Sequence, residues 1–355
     1  MIMPFLNVST QVRPVQSHPN APALPTSSFP ALAGGVLDPS AAVVGRKAAA
    51  MAYFQRVGLF DDRLLVIPPC DIGQALARIR KIEVPLQGMT LRFSQGEALG
   101  LPRMFVRSQE ELVDTLRRIH KEDWTTIVHP YLDVRRSFEA NVENAHWILE
   151  HVPGMWESDN ALLPDMLQKT QDSGLEANLY AFERSARVAS TSGTWAILES
   201  PPTRKAQAQA WAEKFQSVLV TLRRDFQTQL PINVHFVEDN TQKWHFLNVR
   251  AGFHAKASDN SVRSAELHPI ASLSDLDGWD GARPLLFRAT TERGNESSLH
   301  ELLGALRRRT STVYVDFGLL SHPAIVMREF GLTVLSANRL ATPSGRQRFE
   351  HHELR

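Results

Sequence analysis

Apolar residues recur at three- and four-residue spacing between Ala206 and Leu230, where Trp211, Phe215, Val218, Leu219, Leu222 and Phe226 form one stripe. That period predicts a long amphipathic helix, ended by Pro231. Two alternating runs follow, 232–237 and 243–249, joined by the polar turn Glu238-Asp239-Asn240, and they predict a hairpin. Upstream, the pattern predicts a helix over 41–58 with Gly58 as its cap, a strand at 63–67 and a short helix over 72–81. Strands are expected at 86–94 and 103–107, then a helix capped by Ser108 with Glu110 and Glu111 at its positive end. The β-branched run Thr125-Thr126-Ile127-Val128 predicts a strand over 124–131. The middle is strand-rich, at 138–144, 147–150, 178–183 and 194–198.

Strands at 284–289, 312–316 and 332–336 alternate with helices at 297–309 and 322–330, which predicts an α/β unit. The turn-rich stretch 252–282 is the expected boundary before it. Prolines at 4, 14, 19, 22, 25, 30 and 39 make residues 1–40 an extended or disordered arm. The expected organisation is thus an arm over 1–40, a first region over 41–255 and a second over 256–355.

Charge narrows the function little. A formal net charge of +1 over 355 residues gives no general drive toward nucleic acid or anionic membrane. No apolar run reaches the ~20 residues that span a bilayer, and a soluble, cytoplasmic protein is expected. The single cysteine, Cys70, excludes an internal disulfide and a multi-cysteine metal site. The histidines show no HExxH or similar paired spacing, which argues against zinc.

The segment from Thr312 to Leu335 carries the most chemistry. A strand ends at Asp316, a loop holds Gly318, and a helix starts near Ser321-His322 with Pro323 in its first turn. Free N–H groups and the helix dipole there favour an anion. Read from the residues alone, His322 is either part of a helix cap or a nucleophile able to carry a phosphoryl group.

That segment resembles the phosphohistidine signature of the swivelling domain in phosphoenolpyruvate synthase, pyruvate phosphate dikinase and related PEP-utilising enzymes. Gly318, Ser321, His322, Ala324, Ile325, Arg328, Glu329 and Gly331 match in register, while Phe317, Met327 and Thr333 depart from it. The resemblance assigns catalysis to His322 and Arg328. Three weaker segments are similar to the same family's ATP-grasp-type region. Val44-Gly45-Arg46-Lys47 is similar to its opening glycine–lysine segment and places Lys47 at nucleotide phosphates; Leu91-Arg92-Phe93-Ser94 places Arg92 there too. The run His245-Phe-Leu-Asn-Val-Arg-Ala is similar to a family strand in which Asn248 is a magnesium ligand and Arg250 a phosphate ligand. The family's partner carboxylate falls on His235 here, with Glu238, three residues on, as the substitute.

The resemblance implies an α/β protein, a reduced ATP-grasp-like nucleotide-binding region followed by a small swivelling phosphohistidine domain. It implies ATP and Mg²⁺ as cofactors and transfer of a phosphoryl group through His322 to a small-molecule acceptor. The alternatives are an ATP-grasp-type ligase acting through an acyl phosphate, and a non-catalytic relative that binds nucleotide or a partner. Oligomeric state stays open between a homo-oligomer and a complex with a partner subunit.

Overall fold

The computed structural model describes residues 44–95, 101, 103–154, 164–169, 175–180, 184–189, 195–252, 267–270, 272–287, 296–315, 318–320, 324, 327–328, 330–337 and 346–349. The proline-rich arm lies outside them, as do His322 and most of the helix expected to follow it.

The first unit contains α1 (Arg46–Arg56), β1 (Leu65–Ile67), α2 (Ile72–Ile79), β2 (Met89–Ser94), β3 (Arg103–Val106), α3 (Gln109–Ile119) and β4 (Thr125–Pro130). Its four strands form an antiparallel sheet in the order β1-β4-β2-β3. Strand alternation splits the sheet into two faces. Met89, Leu91, Phe93, Val106 and Val128 pack with Ala75, Ile79, Leu112 and Leu116 of α2 and α3. Thr90 and Arg92 alternate with those residues and turn to the opposite face. Helix α3 begins as its sequence dictates: the Ser108 side chain accepts from the Glu111 N–H at 3.1 Å, and Glu110 and Glu111 occupy the first turn.

The second unit is built on a seven-stranded antiparallel sheet ordered β12-β11-β5-β6-β7-β8-β17. Its strands are β5 (Val134–Val142), β6 (Trp147–Pro153), β7 (Asp165–Lys169), β8 (Leu175–Tyr180), β11 (Ile232–Asp239), β12 (Trp244–Ala251) and β17 (Arg346–Phe349). A separate hairpin pairs β9 (Arg184–Ala189) with β10 (Trp195–Ser200). Helix α4 (Lys205–Asp225) buries Trp211, Phe215, Leu219 and Leu222, the predicted stripe, in one core with Phe138, Trp147 and Phe236 of the sheet. The rings of Phe138 and Phe236 stack at 4.9 Å, and Trp147 meets Phe215 edge-on at 5.4 Å. Because Phe138 and Ala140 face the helix, Glu139 and Asn141 face away from it.

The third unit holds β13 (His268–Ile270), α5 (Leu273–Asp277), β14 (Leu285–Phe287), α6 (Glu296–Arg309), β15 (Thr312–Val315) and β16 (Thr333–Ser336). Its strands are parallel in the order β13-β14-β15-β16. Strand β13 and helix α5 fall inside the stretch expected to be a polar connection. Ile270 and Leu276 supply the apolar anchors that bring it into the core, and Ser272 and Asp275 close a reciprocal cap at the start of α5.

Candidate functional site

The first two units face one another through α1, which packs on β12 and touches β2. The helix starts on Gly45, whose backbone stands at φ 79°, ψ 152°, a conformation open in practice only to glycine. Two residues on, Lys47 enters the space between the sheets.

Four cations meet there. Arg92 and Arg103 are directly opposed across β2 and β3, Lys47 comes from α1, and Arg250 comes from β12. Each is close enough to act electrostatically on the others or on His235. Burial, followed by the fields of Arg92 and Arg103, pulls the Lys47 ammonium down to about 8. Burial and Arg103 likewise pull Arg92 down to about 9. His235 is lowered to about 3 by burial and then by Arg250, Arg92, Lys47 and Arg103, so its ring is neutral. His129 is also held well below its usual value by burial and Arg92.

A carboxylate joins the cluster. Glu139 is 8% exposed, and its Oε1 lies 3.4 Å from Arg250 Nη2 and 3.7 Å from His235 Nδ1. Because the ring is neutral, the contact with His235 is not an ion pair. Burial raises the Glu139 carboxyl to about 7 against the opposing pull of Arg250. Asn248, His235 and Glu139 form a row across β12, β11 and β5, with His235 paired to both neighbours. Asn248 Oδ1, His235 Nε2, Glu139 Oε2 and Arg92 Nε are buried and lack a hydrogen-bond partner among the described residues. Orphaned buried polar atoms are costly, and four of them in one cleft mark a place where a polar ligand belongs.

The structure therefore gathers Lys47, Arg92, Asn248 and Arg250, and it separates Glu238 from them. Glu238 lies on the helix side of the sheet. Its Oε1 accepts from Arg136 Nη1 at 2.7 Å and its Oε2 from Trp244 Nε1 at 3.0 Å. It is corrected from metal ligand to buried structural acid. Glu139, which sequence reasoning passed over, is the acid present. A signal for it existed: a glutamate between Phe138 and Ala140 in an alternating strand must sit on the face opposite the core.

Arg328 is tied to the backbone of its own unit. Its Nη1 donates to the carbonyls of Leu319 at 2.6 Å and Ala324 at 3.2 Å, and its Nη2 to that of Val334 at 3.4 Å. Burial lowers it to about 10. The matching residues of the segment each have a packing reason where they are described. A Cβ on Gly318 would lie 2.8 Å from Glu150 Oε2, Ala324 is fully buried, and Gly331 stands at φ 80°.

Two oxygen donors, Glu139 and Asn248, suit a hard divalent ion that also takes phosphate oxygens. Among the described residues no group of three or more His, Cys, Asp or Glu side chains is gathered for a metal.

No family model matches the chain, and no curated protein matches it. Solved structures do show similarity. An N5-carboxyaminoimidazole ribonucleotide synthetase in complex with ADP aligns at 10% identity and TM-score 0.33, covering 60% of this chain and 46% of that one. A D-alanine–D-alanine ligase from Bacillus anthracis aligns at 8% identity and TM-score 0.32, covering 60% and 58%. An L-amino acid ligase from Bacillus licheniformis aligns at 10% identity and TM-score 0.34, covering 59% and 43%. The matched region spans about half the length of these chains. At such scores the likeness is loose, and the chemistry must come from the chain's own residues. These similar structures are synthetases and ligases rather than PEP-utilising enzymes, and they overturn the expectation of phosphoryl transfer through His322. What stands from the chain's own structure is an α/β protein with two antiparallel sheets, a short antiparallel hairpin and a parallel sheet among the described residues.

Proposed function

We propose that the cleft between the first two units binds the phosphates of ATP and that the chain is an ATP-dependent ligase acting through an acyl phosphate. The observation that supports this reading is the convergence of Lys47, Arg92, Arg103 and Arg250 on the space beside Glu139. Like charges opposed across a sheet are destabilising. An anion beside Arg92 would give its buried Nε, which has no partner among the described residues, an acceptor.

The start of α1 adds to that field, because its first-turn N–H groups and dipole favour negative charge. Lys47 and Arg250 would hold the outer phosphates and orient the terminal one. A substrate carboxylate oxygen then bonds to the γ-phosphorus as the bridging bond to ADP breaks. A nucleophile adds to the acyl carbon, expels inorganic phosphate and gives its proton to solvent. Such transfer needs mainly positioning and charge neutralisation. Glu139 and Asn248 are the residues that would hold magnesium, which when bound draws off charge on the phosphate oxygens.

The acceptor would enter beside the third unit. Glu150, directly across from Glu139, holds the loop after β15 on this same face, and ligands of open parallel sheets bind at that end of the strands.

Equilibrium binding of ADP to the wild-type chain and to Arg92→Gln tests the reading. Loss of affinity by about tenfold, or 1.4 kcal/mol, is expected for the variant. Equal affinity in a folded variant would remove the cleft from consideration. Trapping with hydroxylamine, in the presence of ATP and a panel of carboxylic acids, tests the acyl phosphate directly.

A further inference from the structure

We propose that His235 is a ligand of the divalent ion in this cleft, beside Glu139 and Asn248, and that the set holds a first-row transition ion such as manganese in preference to magnesium. The proposal rests on the nucleotide site described above and concerns the ion that accompanies the phosphates.

A local irregularity brings the three side chains together. Val234 pairs with Val249 and His235 with Asn248, yet Phe236 pairs with Phe246. Leu247 is therefore an extra residue, a bulge in β12. Without it, Phe246 and Asn248 would share one face of the strand. With it, Phe246 stacks on Phe236 in the core at 4.5 Å, and Asn248 stands beside His235 on the cleft face. On its other side His235 is paired with Glu139 of β5.

Asn248 Oδ1, His235 Nε2 and Glu139 Oε2 are the buried atoms these neighbours leave without a hydrogen-bond partner among the described residues. The His235 ring is neutral, and Glu139 Oε1 lies 3.7 Å from its Nδ1. The proton belongs on Nδ1, facing the carboxylate, which leaves the lone pair on Nε2. Three adjoining acceptors repel a phosphate oxygen, whereas a cation satisfies all of them. Glu150, next in the row, gives its oxygens to the N–H groups of Leu319 and Leu320 and so belongs to the third unit. Arg250 lies on Oε1 of Glu139, 3.4 Å away, and leaves Oε2 for the ion.

The donor set is thus one imidazole nitrogen, a carboxylate oxygen and an amide oxygen, with phosphate oxygens to complete it. Magnesium takes oxygen ligands and keeps several of its waters. Imidazole suits transition ions, and manganese among them also suits carboxylate and carbonyl oxygens. The four cations of the cleft repel a bare ion, so the metal enters with the phosphates that neutralise it.

The test loads the full chain, labelled with ¹⁵N, with Mn²⁺ and unlabelled ADP, and records electron–nuclear double resonance on the bound manganese. The expected result is a ¹⁵N coupling from a directly bound nitrogen in the wild type and none in His235→Gln. Calorimetry with ADP in Mn²⁺ and in Mg²⁺ gives the preference between the ions. It should fall several-fold in His235→Asp, which exchanges the nitrogen for oxygen. ADP bound with manganese left in solution, a bound manganese without ¹⁵N coupling, or a coupling that persists in His235→Gln overturns the proposal and leaves the nucleotide site standing. Absence of ADP binding with either ion overturns the site itself, and the proposal with it.

Discussion

Glu139 and Glu150 are cross-strand partners on β5 and β6, and they serve different parts of the molecule. Glu139 turns its charge to Arg250 in the cation-lined cleft. Glu150 accepts the backbone N–H groups of Leu319 at 2.8 Å and Leu320 at 2.9 Å, fastening the third unit to the large sheet. Leu320 completes that anchor by packing on Ile148 and Met166.

Glu150→Gln keeps the shape of this anchor and takes away one acceptor, setting an amide donor against a backbone donor. An unsatisfied buried group costs roughly 1–3 kcal/mol. A lowered melting temperature is expected, together with faster hydrogen exchange at Leu319 and Leu320, and ADP affinity should stay near that of wild type. Unchanged exchange at those two amides would show that Glu150 does not hold the loop.

Arg92→Gln should separate stability from binding. With its opposed partner neutralised, Arg103 no longer faces a like charge, a relief of about 0.2–1 kcal/mol for such cross-strand pairs. The ligand-free variant is expected to melt at or slightly above the wild-type temperature, while the rise in melting temperature on adding ADP shrinks. A variant that melts clearly lower without ligand would mean that the two arginines are not in conflict.

Lys47 gives the site a dependence on pH. Burial, with the fields of Arg92 and Arg103, holds its folded-state pKa at about 8, below the ordinary lysine value of 10.5. Between those values the unfolded chain binds more protons than the folded one, so the Lys47 contribution to stability rises with pH across that window. Anion binding runs the other way, since the ammonium is lost as pH climbs through about 8. ADP affinity should therefore fall above pH 8 in wild type and stay flatter in Lys47→Arg, whose guanidinium remains charged. Parallel pH profiles for the two proteins would rule out Lys47 as a phosphate ligand.

Gly45→Ala tests the placement of that lysine. The backbone at 45 occupies a region nearly closed to residues with a Cβ, and strain of this kind costs of the order of 1–3 kcal/mol. Weaker ADP binding is expected along with a lower melting temperature. A full ADP response from a folded variant would show that the glycine serves the turn alone.

Legibility followed sequence distance. The stripe on α4, the Ser108 cap and the hairpin of β11 and β12 are local patterns, and each is found in the structure. Strand β7 and the hairpin partner β9 were not anticipated, and β13 was hidden in a polar stretch whose anchors are few. Glu139 enters the cleft through the pairing of β5 with β11, which joins residues about a hundred positions apart. A single sequence states an alternation but not its cross-strand neighbours, so the nearer Glu238 was favoured over the acid that is there. The segment around Gly318 misled for the converse reason. Its strand–loop–helix pattern is locally distinctive, and Gly318, Ala324, Arg328 and Gly331 are accounted for by close approach, burial, carbonyl ties and a left-handed backbone. Packing needs of this kind arise in proteins that share no chemistry.

Strands β12 and β17 are the two outer edges of the seven-stranded sheet, and the parallel-sheet unit is the chain between them. Six strand spacings at about 4.8 Å set those edges roughly 29 Å apart. The unit is thus built like the handle of a case, with a foot at each side and a rivet, Glu150, near the middle. Cutting the chain after Ala337 would free one foot and bare the backbone edge of β8, converting a closed rim into a surface open to strand addition from another molecule.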